Sequence, residues 1–131
     1  MAKGIYVLII SVSSNILVSV GALGKVGFKR GLYAYVGSAQ NNIEKRVKRH
    51  LRKDKRRFWH IDHLLSNGSV AVTKVFYKEA KKSEECQISR GLSEKGLPVA
   101  NFGCSDCTCV SHLFMLDDYG FLGELMTEMR L

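Results

Sequence analysis

Hydrophobic residues run almost without interruption from Ile5 to Ile10, and Ser13-Ser14-Asn15 breaks the run before Ile16 to Val20 resumes it. Both stretches are rich in β-branched and aromatic side chains, which predicts two strands joined by a short connection, a hairpin. Glycines at 21, 24, 27 and 31 punctuate the next segment, which ends in Leu32-Tyr33-Ala34-Tyr35-Val36, a third strand. This glycine spacing is that of loops, because neither a Walker lysine-serine pair nor a GxGxxG accompanies it. From Asn41 the period changes. Ile43, Val47 and Leu51 recur at i, i+4 and i+8, predicting an amphipathic helix with Asn41 or Asn42 as N-cap and Glu44 in its first turn.

Farther along, Phe58 to Leu65 reads as a short helix or turn, Asn67-Gly68 as a turn, and Val70 to Tyr77 as a strand. A second helix is predicted from Lys82-Ser83 through Glu85, Cys86, Ile88 and Leu92 to Gly91 or Gly96, with Ser83 as candidate N-cap and Pro98 just beyond. In the tail, Leu116, Phe121, Leu122, Leu125, Met126 and Met129 follow a rough helical period. That predicts a C-terminal helix packed on the domain or on a second copy, so a homodimer is one candidate assembly.

With 131 residues, 46% of them hydrophobic and 24% charged, the chain fits one folded domain and excludes wholesale disorder. No repeat or linker suggests a second domain: the expectation is one domain over 1–131, with a core of about 4–112 and an extension over 113–131. The apolar run near the start stops after about nine residues, far short of the roughly 20 that cross a bilayer, and no basic cluster precedes it. The expected compartment is the cytoplasm, without membrane association.

Charge changes the picture most. Twenty Lys+Arg against 12 Asp+Glu give a formal +8. The excess is local: Lys45, Arg46, Lys48, Arg49, Arg52, Lys53, Lys55, Arg56 and Arg57 face only Glu44 and Asp54, a net +7 in one short stretch, while the chain beyond Phe102 is acidic. A solvated helix face is the bland reading, but phosphate relieves the self-repulsion, so nucleic acid is the expected partner. Lys45, Lys48, Arg49, Arg52, Lys53, Arg56 and Arg57 are the candidate contacts. Arg46 and His50, four residues apart, share a helix face and suit a phosphoryl site, where guanidinium stabilises charge and imidazole moves a proton.

Cys104, Cys107 and Cys109 lie close together with His112 three residues on, and Cys86, on the predicted helix, is a candidate further partner for them. Three readings stay open: a structural zinc site, disulfides, and small thiols packing a tight turn. His112 could instead belong to a catalytic cleft. His60 and His63 flank Asp62, yet the two-residue spacing of His60 and Asp62 turns them apart, against a shared metal. Trp59, beside Ile61, Leu64 and Leu65, reads as core, with base stacking as the alternative.

Gly4-Ile5-Tyr6 on the first strand, Tyr35-Val36-Gly37 on the third, Arg46 and His50 on the following helix, and a glutamate-bearing helix at Glu85 occur in an order that resembles the GIY-YIG nuclease superfamily. The resemblance extends to about His112. Within the superfamily the chain looks most like a small stand-alone prokaryotic branch, largely uncharacterised, with a Phe-Gly-Cys-Ser-Asp-Cys segment, here Phe102 to Cys107. Val36 stands where the motif has isoleucine, and Asn101 has no assignable role.

The resemblance implies an α/β fold with a small three-stranded antiparallel sheet flanked by helices, here with an additional strand and the C-terminal helix. It implies metal-dependent hydrolysis of phosphodiester bonds in DNA, selective for structure rather than sequence. By position, Tyr6 activates or orients the attacking water, Tyr35 supports it, Arg46 stabilises the developing charge, and His50 or His60 assists proton transfer. Glu85, with Glu84 as its neighbouring alternative, is the ligand for one Mg²⁺ or Mn²⁺. The rival reading is a non-catalytic nucleic-acid-binding or protein-interaction module on the same fold. An ordinary phenol titrates near 10, so Tyr6 needs a nearby cation to act as a base at neutral pH.

Overall fold

The computed structural model describes residues 3–52, 59–103 and 111–130. Strand β1 (Gly4–Val12) organises everything else. Its apolar run is buried on both faces, so it cannot sit at an edge and must be covered above and below. Two long strands flank it antiparallel, β4 (Gly31–Ala39) and β5 (Val70–Glu79). Among the described residues the sheet has six strands in the order β6-β7-β4-β1-β5-β8, with β6 at Leu97–Pro98, β7 at Leu113–Leu116 and β8 at Thr127–Met129. Proline lies on an edge strand, where its missing donor costs no ladder bond.

The sheet therefore exceeds the expected three strands and one additional strand, and the expected hairpin between the first two strands does not form. β2 (Ile16–Ser19) pairs instead with β3 (Lys25–Phe28) in a separate two-stranded ribbon. Four residues of β2 could not satisfy the nine-residue backbone of β1, whereas β4 matches it from Gly4↔Ala39 to Val12↔Gly31.

Two cores result. Tyr6, Leu8, Ile10 and Val12 face one side, where α1 (Ile43–Leu51), α2 (His60–Leu65) and the ribbon supply Ile43, Val47, Ile61, Leu64, Val18 and Phe28. Ile5, Val7 and Ile9 face the other, packed on Leu92 of α3 (Glu84–Ser93) and on Leu122 of α4 (Leu122–Leu125). The Asn42 side chain caps α1 by accepting from the Lys45 N–H at 3.1 Å. Ser83 precedes α3 but makes no side-chain cap bond; Glu84 accepts the Lys81 N–H instead.

The predicted C-terminal helix is reduced to the single turn of α4. Its neighbours Leu113–Leu116 and Thr127–Met129 are strands, paired with β4 and β5 respectively. The apolar residues of the tail are therefore divided between sheet strands and a turn rather than forming one helical stripe. Among the described residues no helix is long and apolar enough to cross a membrane.

Candidate functional site

At the end of the sheet where β1 begins and β4 closes, an open cavity of about 490 Å³ is lined by Tyr6, Tyr35, Arg46, Trp59, His60 and Glu85, among others. The strands deliver the two tyrosines through their register. Tyr6 pairs with Gly37 and Leu8 with Tyr35, so both phenols stand on one face as diagonal neighbours. Gly37 is required there: a Cβ at this position would overlap the Tyr6 ring and hydroxyl. Helix α1 delivers Arg46 and His50 from one turn. The Arg46 guanidinium donates to the Ser38 carbonyl at 3.0 Å, and His50 lies behind it, buried, with its Nε2 2.7 Å from the Tyr6 hydroxyl.

Glu85 reaches the cavity from the first turn of α3. Its Oε1 is 3.4 Å from Nδ1 of buried His112, which is also 3.4 Å from the Val36 carbonyl. Both neighbours are acceptors, so that nitrogen carries the proton. His60, the first residue of α2, accepts the Gly103 N–H on Nδ1 at 2.9 Å, and the neutral ring therefore bears its proton on Nε2.

Residues 5–130 match the family described as Domain of unknown function DUF123. The chain belongs to that family. No curated protein and no solved structure matches it.

Electrostatics in the DUF123 cleft favour neutral phenols. Burial drives the Tyr6 hydroxyl well above its ordinary range, with the Arg46 charge pulling the other way and Glu85 and Asp62 adding to the rise. Tyr35 is also raised, by burial first and then by Tyr6 and Glu85. His60 is lowered, by burial and then by the neighbouring His63. A phenolate is thus disfavoured, and the His50 ring nitrogen is a direct hydrogen-bond partner of the Tyr6 hydroxyl.

Trp59 borders the DUF123 cleft at 37% exposure rather than filling the core as expected. The guanidinium groups of Arg46 and Arg49 lie over its ring at 4.7 and 4.4 Å. This location had no sequence signal, since the ring is held by two cations one turn apart on another helix. Lys82 is a second cavity residue that sequence reasoning passed over, although it precedes Glu85 by three positions, one helical turn.

The basic helix divides. Lys45, Lys48 and Arg52 are exposed, whereas Arg49 turns inward and makes a bidentate pair with Asp62 at 2.9 and 3.0 Å. Asp62 is fully buried and also accepts the Trp59 N–H. That role explains why it stands apart from His60. Lys53, Arg56 and Arg57 lie outside the described residues, as do Cys104, Cys107 and Cys109. Only His112 of the proposed zinc set is described, and it stands beside Glu85.

Among the described residues no group of three or more His, Cys, Asp or Glu is arranged to hold a metal ion. A larger groove of about 730 Å³ runs between α1 and strands β5 and β8, past Ile43, Val47, Tyr77 and Met129. It holds none of the candidate catalytic residues.

Proposed function

We propose that this cleft hydrolyses phosphodiester bonds in DNA by GIY-YIG-type chemistry, acting on a structural feature of the duplex rather than on a base sequence. One observation carries the reading: Tyr6, Tyr35, Arg46, His60 and Glu85, drawn from five different elements, share one cavity, with His50 hydrogen-bonded to Tyr6 from behind. Packing accounts for the two buried phenols but gives no reason for a guanidinium, an imidazole and a carboxylate to meet beside them at an open cavity.

Glu85 is the candidate ligand for one Mg²⁺ or Mn²⁺. A single hard carboxylate facing an open cavity fits such an ion, whose remaining positions go to water and phosphate oxygens. A metal bound there would supply charge neutralisation on the phosphate. His112 holds Glu85 from the side through its Nδ1–H. The Tyr6 oxygen orients the attacking water and takes its proton as the phenol proton passes to His50, which avoids a free phenolate in a buried site. Arg46, steered by the Ser38 carbonyl and the Trp59 ring, stabilises charge on the equatorial oxygens. With Nδ1 occupied, neutral His60 presents an N–H and acts as a donor to phosphate or leaving group rather than as a base. Lys45, Lys48 and Arg52 hold the backbone, and contacts of this kind position a protein without specifying bases.

The test is incubation of the purified protein with Mg²⁺ or Mn²⁺ and a panel of duplex, single-stranded, branched DNA and RNA. Cleavage of a DNA member that stops on chelation is the expected result. Failure to cut any member overturns the reading in favour of the non-catalytic module, for which the raised phenols would be simply buried aromatics.

A further inference from the structure

The register of β1 with β4 runs to Val12↔Gly31, so a turn of about two to five residues could have closed that hairpin. The chain instead spends residues 13–30 on the β2–β3 ribbon. Its inner face is accounted for by Val18, Val20 and Phe28, which are buried against the first core. Its outer face is not. Leu17 is 65% exposed and pairs directly with Gly27, where an added Cβ would meet nothing within 4 Å. Lys25, Lys29 and Arg30 are exposed around this bare patch, and the first 43 residues of the chain contain no Asp or Glu at all.

The ribbon also sits beside the cleft. Helix α2 opens at His60 in the cavity, and His63 on that helix and Ser66 at its C-terminal cap border Leu17, Val18 and Ser19. Phe28 of the ribbon stacks edge-on with Phe102, which does the same with Tyr35 and His60.

We propose that the β2–β3 ribbon is a second DNA-docking element that enters the major groove of a duplex held at the cleft. This rests on the nucleic-acid reading of that site and adds to it a surface separate from α1. Lys25 opens β3 and Lys29 follows its last residue, so at the rise of a strand the two lie about 13 Å apart, close to the roughly 12 Å width of the major groove of B-DNA. The cations then meet phosphates on the two walls, while Leu17 and the bare Gly27 face the base edges, where a leucine contacts the thymine methyl group. An acid-free ribbon repels no phosphate on either side. The major groove of duplex RNA is too narrow to admit it, which makes the docking selective for DNA.

The experiment measures anisotropy of a labelled 30-base-pair DNA duplex, and of the same sequence as duplex RNA, against salt concentration. It compares the wild type, the triple variant Lys25→Ala/Lys29→Ala/Arg30→Ala, Leu17→Ser, and the control Arg90→Ala/Lys95→Ala in and just after α3. All altered side chains are exposed, so folding is retained and is checked by circular dichroism. On DNA the triple variant should lower the slope of log K against log salt by about two to three units, near 0.9 per lost phosphate contact. Leu17→Ser should weaken DNA binding by up to about tenfold without changing the slope. The control and the RNA arm should not change. An unchanged slope in the triple variant, or an equal loss on RNA and DNA, overturns the ribbon proposal while leaving the cleft reading intact. A wild type that binds the duplex without cutting it defeats the proposed activity alone, and one that binds no duplex defeats both.

Discussion

Gly37 and Tyr6 occupy one space: the glycine has no side chain because the phenol fills its position across the strand pair. Gly37→Ala should therefore destabilise the fold by about 1–3 kcal/mol, the usual cost of forcing a methyl into a packed site, and should push the phenol away from His50. Urea denaturation checks it, and a variant as stable as the wild type would show that the ring yields freely. His60 carries a pH dependence. Its folded-state pKa lies below the ordinary 6.5, so the unfolded chain binds the proton first as pH falls. Stability from this residue is complete above pH 6.5 and is lost as pH drops through the folded value. His60→Asn keeps an acceptor for the Gly103 N–H without titrating, and should lose less stability between pH 7.5 and 5.5 in denaturant melts; equal losses would refute the assignment. At this scale the meeting of Arg46 and His50 was legible from the i, i+4 spacing of a helix, whereas Tyr6 and Tyr35 were named only through the resemblance to GIY-YIG nucleases, because the strand pairing that brings them together was not. The positions of Trp59 and His112 were not, since each depends on partners from other elements, Arg46 and Arg49 for one and Glu85 and Val36 for the other.

Helix α1 serves two tasks with one charge run. Lys45, Lys48 and Arg52 face solvent, while Arg49 neutralises a carboxylate at the start of α2 and, over Trp59, shares a ring with Arg46. Arg49→Ala removes the bidentate guanidinium from buried Asp62. The expected cost is about 3 kcal/mol in denaturant unfolding, and Asp62→Asn should recover part of it in the double variant. A loss below about 1 kcal/mol would place Arg49 with the surface contacts instead. Helical period predicted α1 with Asn41 or Asn42 as cap, of which Asn42 takes the position, but it also predicted burial for Leu51, which is 39% exposed. The helix ends there, and His50 takes the inward position. Periodicity likewise could not separate strand from helix in the tail, where short apolar runs fit either.

Across the whole molecule, the sheet brings residues from Gly4 to Met129 into one layer, with helices and a ribbon on one face and α3 and α4 on the other. The mixed α/β class was readable from strand and helix patterns. The pairing was not: sequence neighbours β1 and β2 part company because β1, apolar on both faces, needs two long partners, and β4 and β5 are those partners. That pairing sets the phenols of β1 and β4 side by side at the sheet end where α1 brings Arg46 and α3 brings Glu85. The central claim is that this convergence is a metal-dependent phosphodiesterase rather than a binding surface. It is tested most directly by measuring cleavage and binding together on one DNA substrate, with wild type, Tyr6→Phe and Glu85→Ala in Mg²⁺ or Mn²⁺. The account predicts that both variants bind as the wild type does while the cleavage rate falls by about 10²-fold or more. Cleavage that survives both substitutions, or a protein that binds the DNA equally well with and without them and never cuts it, would contradict it.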